Sequence, residues 1–100
     1  MTALWKGSVR DGAEVMIHFT IRNDGDGTAT RMTCSLKLLG GNSFTASTRV
    51  FPLILPAGQE SQVAEIIVPA HYFELTRWVE LTAYCTEAPD GNVTTVSVWR

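Results

Sequence analysis

The sequence predicts an all-β domain, an antiparallel sandwich of about seven strands of the immunoglobulin-like type, and three observations predict it. Apolar and polar residues alternate at period two from Glu14 to Arg22 and again from Thr30 to Leu39, as in strands with one buried face. Turn-forming clusters of glycine, proline, asparagine and aspartate recur at spacings of about ten residues. No segment carries the spacing of an amphipathic helix. Two strands with one apolar face each need a second apolar layer, which the rest of the chain must supply.

Taken in order, residues 3–10 form a first, edge-like strand, with Leu4 or Trp5 covering one end of the core, and Asp11-Gly12 turns the chain. Residues 14–22 follow, with Val15, Ile17, Phe19 and Ile21 inward and Glu14, His18, Thr20 and Arg22 outward. Asn23-Asp24-Gly25-Asp26-Gly27 makes a tight loop, because these residues tolerate positive φ and bond their own backbone. Its length fits either a hairpin or a crossing between sheets. The third strand, 30–39, buries Met32, Cys34, Leu36 and Leu38 and ends at Gly40-Gly41-Asn42. Residues 44–51 read as a fourth strand, while Pro52 and Pro56 exclude a central strand over 52–56, since proline cannot donate to a ladder.

Residues 61–68 form a strand that is apolar on both faces, with Ala64, Ile66 and Val68 on one side and Val63 and Ile67 on the other, which suggests burial on both sides or an interface. A single helical turn fits within His71 to Thr76, too short to be stable alone. Strands at 77–87 and 92–99 complete the seven, joined by the turn signal Ala88-Pro89-Asp90-Gly91.

With 100 residues the chain is the size of a single domain. Its 45% apolar and 18% charged composition suits a packed core. The net charge of −2 and the scattered eight basic residues leave no electrostatic footprint for nucleic acid. No apolar run approaches the length of a membrane span, so membrane insertion is not expected. The beginning lacks the basic-then-apolar pattern of a leader, so a chain native from Met1 reads as cytoplasmic, and one excised from a larger secreted protein as extracellular. Cys34 and Cys85 both fall on core faces; free core thiols are the favoured reading, with a bridge between them the alternative.

The stretch Ile17-His18-Phe19-Thr20-Ile21-Arg22-Asn23-Asp24-Gly25, followed by Gly27-Thr28-Ala29-Thr30, resembles a bacterial group of immunoglobulin-like modules called CARDB, for cell-adhesion-related domains. The resemblance continues in Leu55-Pro56-Ala57-Gly58-Gln59-Glu60-Ser61 and in Ile66-Ile67-Val68-Pro69, and covers about residues 13 to 98. It implies an accessory sandwich. The acidic, asparagine-rich ending common in such modules is replaced by Val96-Ser97-Val98-Trp99-Arg100. Tyr84 directly precedes Cys85, where the tyrosine corner of antibody domains places it two residues earlier.

No motif frames a catalytic residue. His18 faces away from both cysteines and His71 lies in a loop, which argues against a Cys/His nucleophile pair. Zinc-type ligand spacings are missing. Asp24 and Asp26 lack the further ligands of a calcium loop, so a turn is the simpler reading, and Asp90 falls in the second turn. Asn92-Val93-Thr94 fits the glycosylation pattern, relevant only to a chain secreted by a eukaryote. The clearest functional signal is aromatic. If Val79, Leu81, Ala83 and Cys85 face the core, Trp78, Glu80, Thr82 and Tyr84 face outward, and Trp99 joins them from the next strand. The expectation is a non-enzymatic binding or spacer module that engages a protein partner or itself through this surface, with no cofactor. A carbohydrate-binding module using the same aromatics, and a subunit of a viral or secretion-type assembly pairing through strand edges, are the alternatives.

Overall fold

A computed structural model describes residues 1–98 of the chain. Its elements run β1 (Thr2–Asp11), β2 (Glu14–Arg22), β3 (Ala29–Thr30), β4 (Thr33–Leu39), β5 (Phe44–Arg49), β6 (Ile54–Leu55), β7 (Ala64–Pro69), α1 (Ala70–Phe73), β8 (Trp78–Cys85) and β9 (Ala88–Ser97). The strands make two antiparallel layers, one in the order β1-β2-β7 and the other β5-β4-β8-β9, with β3 and β6 paired as a short ribbon. The all-β sandwich is therefore as expected.

Alternation along each strand decides what the core contains. From β2 come Val15, Ile17, Phe19 and Ile21, from β4 Cys34, Leu36 and Leu38, and from β8 Val79, Leu81, Ala83 and Cys85, all buried. Strand β7 adds Ile66 and Val68. Ile67 on its other face and Val63 just before it are both exposed, so that strand is buried on one side only. Helix α1 is the expected single turn; it closes one end of the sandwich with Ala70 and Phe73, and the Thr76 hydroxyl after it donates to the Tyr72 carbonyl at 3.0 Å.

The link after β2 crosses from the three-stranded layer to the four-stranded one, which resolves the choice the loop length left open. The third expected strand is interrupted. Arg31 takes a left-handed backbone (φ 52°), and the pairing of β4 with β5 gives way to that of β3 with β6. Across this break Arg31 and Met32 face the longer run Val50 to Leu53, which bulges outward around a cis Phe51–Pro52 peptide. The fourth strand accordingly stops at Arg49 rather than at residue 51, and β7 starts at Ala64 rather than at 61.

The last hairpin turns three residues earlier than its Ala88-Pro89-Asp90-Gly91 signal indicates. Cys85 pairs with Ala88, so Thr86 and Glu87 form the turn, and residues 89–91 become a bulge inside β9. A long-range clamp explains the shift. The Glu87 carboxylate accepts from the Thr30 N–H at 2.7 Å and from the Thr30 hydroxyl at 2.6 Å, and the Thr86 N–H donates to the Thr30 carbonyl at 3.0 Å. Gly91 fits the bulge because its φ is +76° and a Cβ there would come within 2.9 Å of the Thr82 methyl.

That clamp is pH-dependent in a defined direction. The Thr30 hydroxyl, then the Thr30 N–H, hold the Glu87 carboxyl below its usual range. A depressed carboxylate contributes stability above its unfolded pKa and loses it as pH falls through the folded value. Urea midpoints of the native chain and of Glu87→Gln, measured from pH 7 downward, should therefore differ most at neutral pH and converge in acid. A difference that stays constant over this range would rule the clamp out.

Candidate functional site

The outward residues of the four-stranded layer form rows set by register. Leu39, Trp78 and Ser97 stand side by side, then Thr45, Lys37, Glu80 and Thr95, then Ser47, Ser35, Thr82 and Val93, then Arg49, Thr33 and Tyr84. Trp78, Glu80 and Tyr84 thus share the outer face, as the alternation predicts. They do not form an aromatic cluster. Six residues along one strand separate Trp78 from Tyr84, which is about 20 Å at the rise of a β-strand. Trp78 is 43% exposed, while Tyr84 is half-buried and shares a hydrogen bond at 3.1 Å with the Ser35 hydroxyl. Trp99 lies outside the described residues.

Between the two rings runs an open groove of about 510 Å³, lined by Ser35, Lys37, Thr45, Ser47, Glu80 and Thr82 among others. Its chemistry is hydroxyls with one cation and one anion. Lys37 and Glu80 are directly opposed across β4 and β8, a favourable cross-strand pair on an exposed sheet.

The larger apolar exposure lies elsewhere, at a corner of the sandwich. In the bulge between β5 and β6, Phe51 is 49% and Leu53 51% exposed, and Ile54 at the start of β6 is 62% exposed. Backbone bonds hold them there: the Leu53 carbonyl accepts from the Arg31 N–H at 3.0 Å, and the Phe51 carbonyl from the Gln62 N–H at 2.9 Å. Leu53 and Ile54 line an open cavity of about 450 Å³ with Thr30, Arg31 and Thr86. Val63, one residue beyond Gln62, is 62% exposed. The signal was in the sequence as Phe51-Pro52-Leu53-Ile54-Leu55-Pro56, an apolar run whose two prolines exclude any central strand to bury it.

Of the remaining candidates, Asp24 and His18 have structural partners. Asp24 accepts from Arg22 Nε at 2.5 Å and from the Thr2 hydroxyl. The Thr2 hydroxyl and then Arg22 hold its carboxyl below the ordinary range. Among the described residues no group of three or more histidine, cysteine or acidic side chains is placed to hold a metal ion. His18 lies on the outer face of the three-stranded layer, with Nε2 at 2.9 Å from Glu65. Both cysteines are free and buried. Cys34 pairs in register with Ala83, so Cys85 is its diagonal neighbour on the adjacent strand. Diagonal positions stand about 7–8 Å apart, beyond the span of a relaxed disulfide. Burial pushes the Cys34 thiol up to about 12, leaving it a small hydrophobe at neutral pH.

Asn23 was expected only to turn the chain, yet it is 3% exposed and fully bonded. Its side-chain N–H₂ donates to the Gly27 carbonyl at 2.8 Å and the Leu55 carbonyl at 3.0 Å, and its side-chain oxygen accepts from the Gly25 N–H at 3.0 Å. Its backbone N–H donates to the Gln59 carbonyl, and its carbonyl accepts from the Gly58 N–H. Two residues earlier, the Ile21 N–H donates to the Ser61 hydroxyl at 2.8 Å. Two of the stretches singled out in the sequence, around Asn23 and from Leu55 to Ser61, are the two halves of this one joint. Among the described residues no helix is long and apolar enough to cross a membrane. Comparison of the chain with protein-family models, curated proteins and solved structures gives no match.

Proposed function

We propose that the chain is a non-enzymatic binding or spacer module whose partner is a protein. The observation that supports this reading is the apolar corner formed by Phe51, Leu53 and Ile54. Fully burying one such side chain is worth about 1.5–3 kcal/mol, and about half of each remains available to a partner. Contiguous apolar exposure of this kind marks interaction surfaces. Arg31, on the rim of the same cavity, adds a cation to which a partner's acidic group can bind. The expected interface therefore moves from the aromatic sheet face to this corner, because the sheet face is mainly polar and its rings stand apart.

Peptides selected from a random display library against the native chain test this proposal, with their footprint mapped by amide chemical shifts. Apolar peptides whose shifts centre on residues 51–54, 30–31 and 86, and whose binding falls at least about tenfold in Ile54→Glu, would support it. Ligands that leave those amides unmoved would overturn it.

The groove on the outer sheet favours a second reading, a carbohydrate-binding module. Hydroxyls beside Lys37 and Glu80, with Trp78 in the adjoining row of the sheet, suit a sugar better than an apolar protein surface. Retention on soluble polysaccharides that disappears in Trp78→Ala would select this reading over the first. The accessory-module resemblance and the immunoglobulin-like assignment belong with either. The three-on-four strand order supports the immunoglobulin-like assignment.

A further inference from the structure

Strand β9 ends the four-stranded layer, with β8 on one side and no strand paired to the other among the described residues. Its register fixes which backbone groups face outward. The Val98 N–H donates to the Arg77 carbonyl at 2.9 Å, one step past the Trp78 and Ser97 pair. Backbone direction alternates along a strand, so Val98, Val96, Thr94 and Asn92 turn toward β8. Val93, Thr95 and Ser97 turn away, each with an N–H and a C=O that have no strand to pair with.

The other edges carry features that oppose pairing. Strand β1 is bulged between Trp5 and Gly7 and bears Lys6, Arg10 and Asp11. Strand β7 has Glu65 near its start and closes on Pro69. In β5 the corresponding outward residues, Thr45, Ser47 and Arg49, include a cation. Residues 92–97 hold no ionisable side chain on either face, and the Pro89 to Gly91 bulge lies before them. Native proteins protect exposed edges with charge, proline and bulges, and this one has none over that run.

We propose that β9 pairs with β9 of a second copy of this chain, antiparallel about a two-fold axis through Thr95. In that register Thr95 opposes its own equivalent and Val93 opposes Ser97. The three outward residues of each chain then exchange six backbone hydrogen bonds, and the two four-stranded layers join into one sheet of eight strands. No like charges meet, and Thr faces Thr, a favourable cross-strand pair. The contact is isologous, so it closes at the dimer instead of propagating. It uses a different face from the apolar corner and does not rest on that reading.

Sedimentation velocity over a wide concentration range tests it on the native chain, Thr95→Pro, Thr95→Lys, Ser47→Pro and Ile54→Glu. The Thr95 N–H points away from β8, so proline there removes one intermolecular donor and leaves the β8 ladder intact; circular dichroism confirms that each variant is folded. The expected result is a weak monomer–dimer equilibrium for the native chain. Association should fall by about tenfold or more in both Thr95 variants and remain unchanged in Ser47→Pro and Ile54→Glu. Amide exchange at Val93, Thr95 and Ser97 should slow as concentration rises. A strict monomer, a ladder of species beyond the dimer, or a dimer broken by Ser47→Pro or Ile54→Glu and not by Thr95→Lys would overturn the proposal.

Discussion

Replacing Phe19 with alanine is expected to lower the unfolding free energy by about 4 kcal/mol, within the range for a buried aromatic cut back to a methyl. The site explains why so little of that loss can be recovered. Phe19 is fully buried in β2, the middle strand of its layer, with β1 and β7 hydrogen-bonded on either side. Trp5 and Ala64 are its partners in register, and Leu36 and Leu81 belong to the layer it packs against. A strand held on both sides cannot collapse into the vacated space, and the small side chains Ala3, Ala64 and Ala83 have no reach to fill it. For a domain of this size, stable by about 5–15 kcal/mol, the variant would sit near the edge of folding. Urea denaturation gives the test: a lower midpoint with an unchanged slope is expected, and Phe19→Leu should cost only about 1 kcal/mol. A loss below about 1 kcal/mol for alanine would mean that the core is not organised around this ring.

What could be read from the chain alone divides along physical lines. The inward residues of β2, β4 and β8 followed from period two, because side-chain direction in a strand is a local property. The position of the last turn did not, because Glu87 is held by Thr30, 57 residues away in sequence, and that clamp overrides the turn preference of Pro89-Asp90-Gly91. The interruption at Arg31 is likewise set by the path of residues 50–53 across the ribbon. The outward facing of Trp78, Glu80 and Tyr84 was legible, and so was their separation, since six residues of strand imply about 20 Å whatever the fold. Facing alone had suggested a cluster, and the spacing argues against one. The apolar corner was half legible: prolines barred a central strand over Phe51 to Ile54, while their exposure depends on how the bulge leaves the sheet. The free edge of β9 required the strand order, which no local pattern contains.

Asn23 shows the same division at a single residue, and its replacement should cost more than a loop position normally does. Asn23→Ala removes both side-chain donors and the acceptor, so the Gly27 and Leu55 carbonyls and the Gly25 N–H each lose a bond to a side chain that is 3% exposed. Each unsatisfied buried group costs about 1–3 kcal/mol, moderated where water reaches the loop, so a total loss of about 3 kcal/mol is expected. The backbone bonds from Asn23 to Gln59 and Gly58 hold the same two segments together, so weakening the side-chain set should loosen the whole joint. Amide exchange at Gly25 and Gly58 should then quicken more than exchange at Leu81 in the core. Asn23→Asp separates the hydrogen bonds from the shape of the side chain. At neutral pH it has no donor and turns a negative charge toward two carbonyls, so its folded pKa should lie above the unfolded one. Stability should therefore be recovered as pH falls through that folded value and the protonated carboxyl regains a donor. An alanine variant as stable as the native chain, or an aspartate variant whose stability relative to it ignores pH, would reduce Asn23 to an ordinary turn residue.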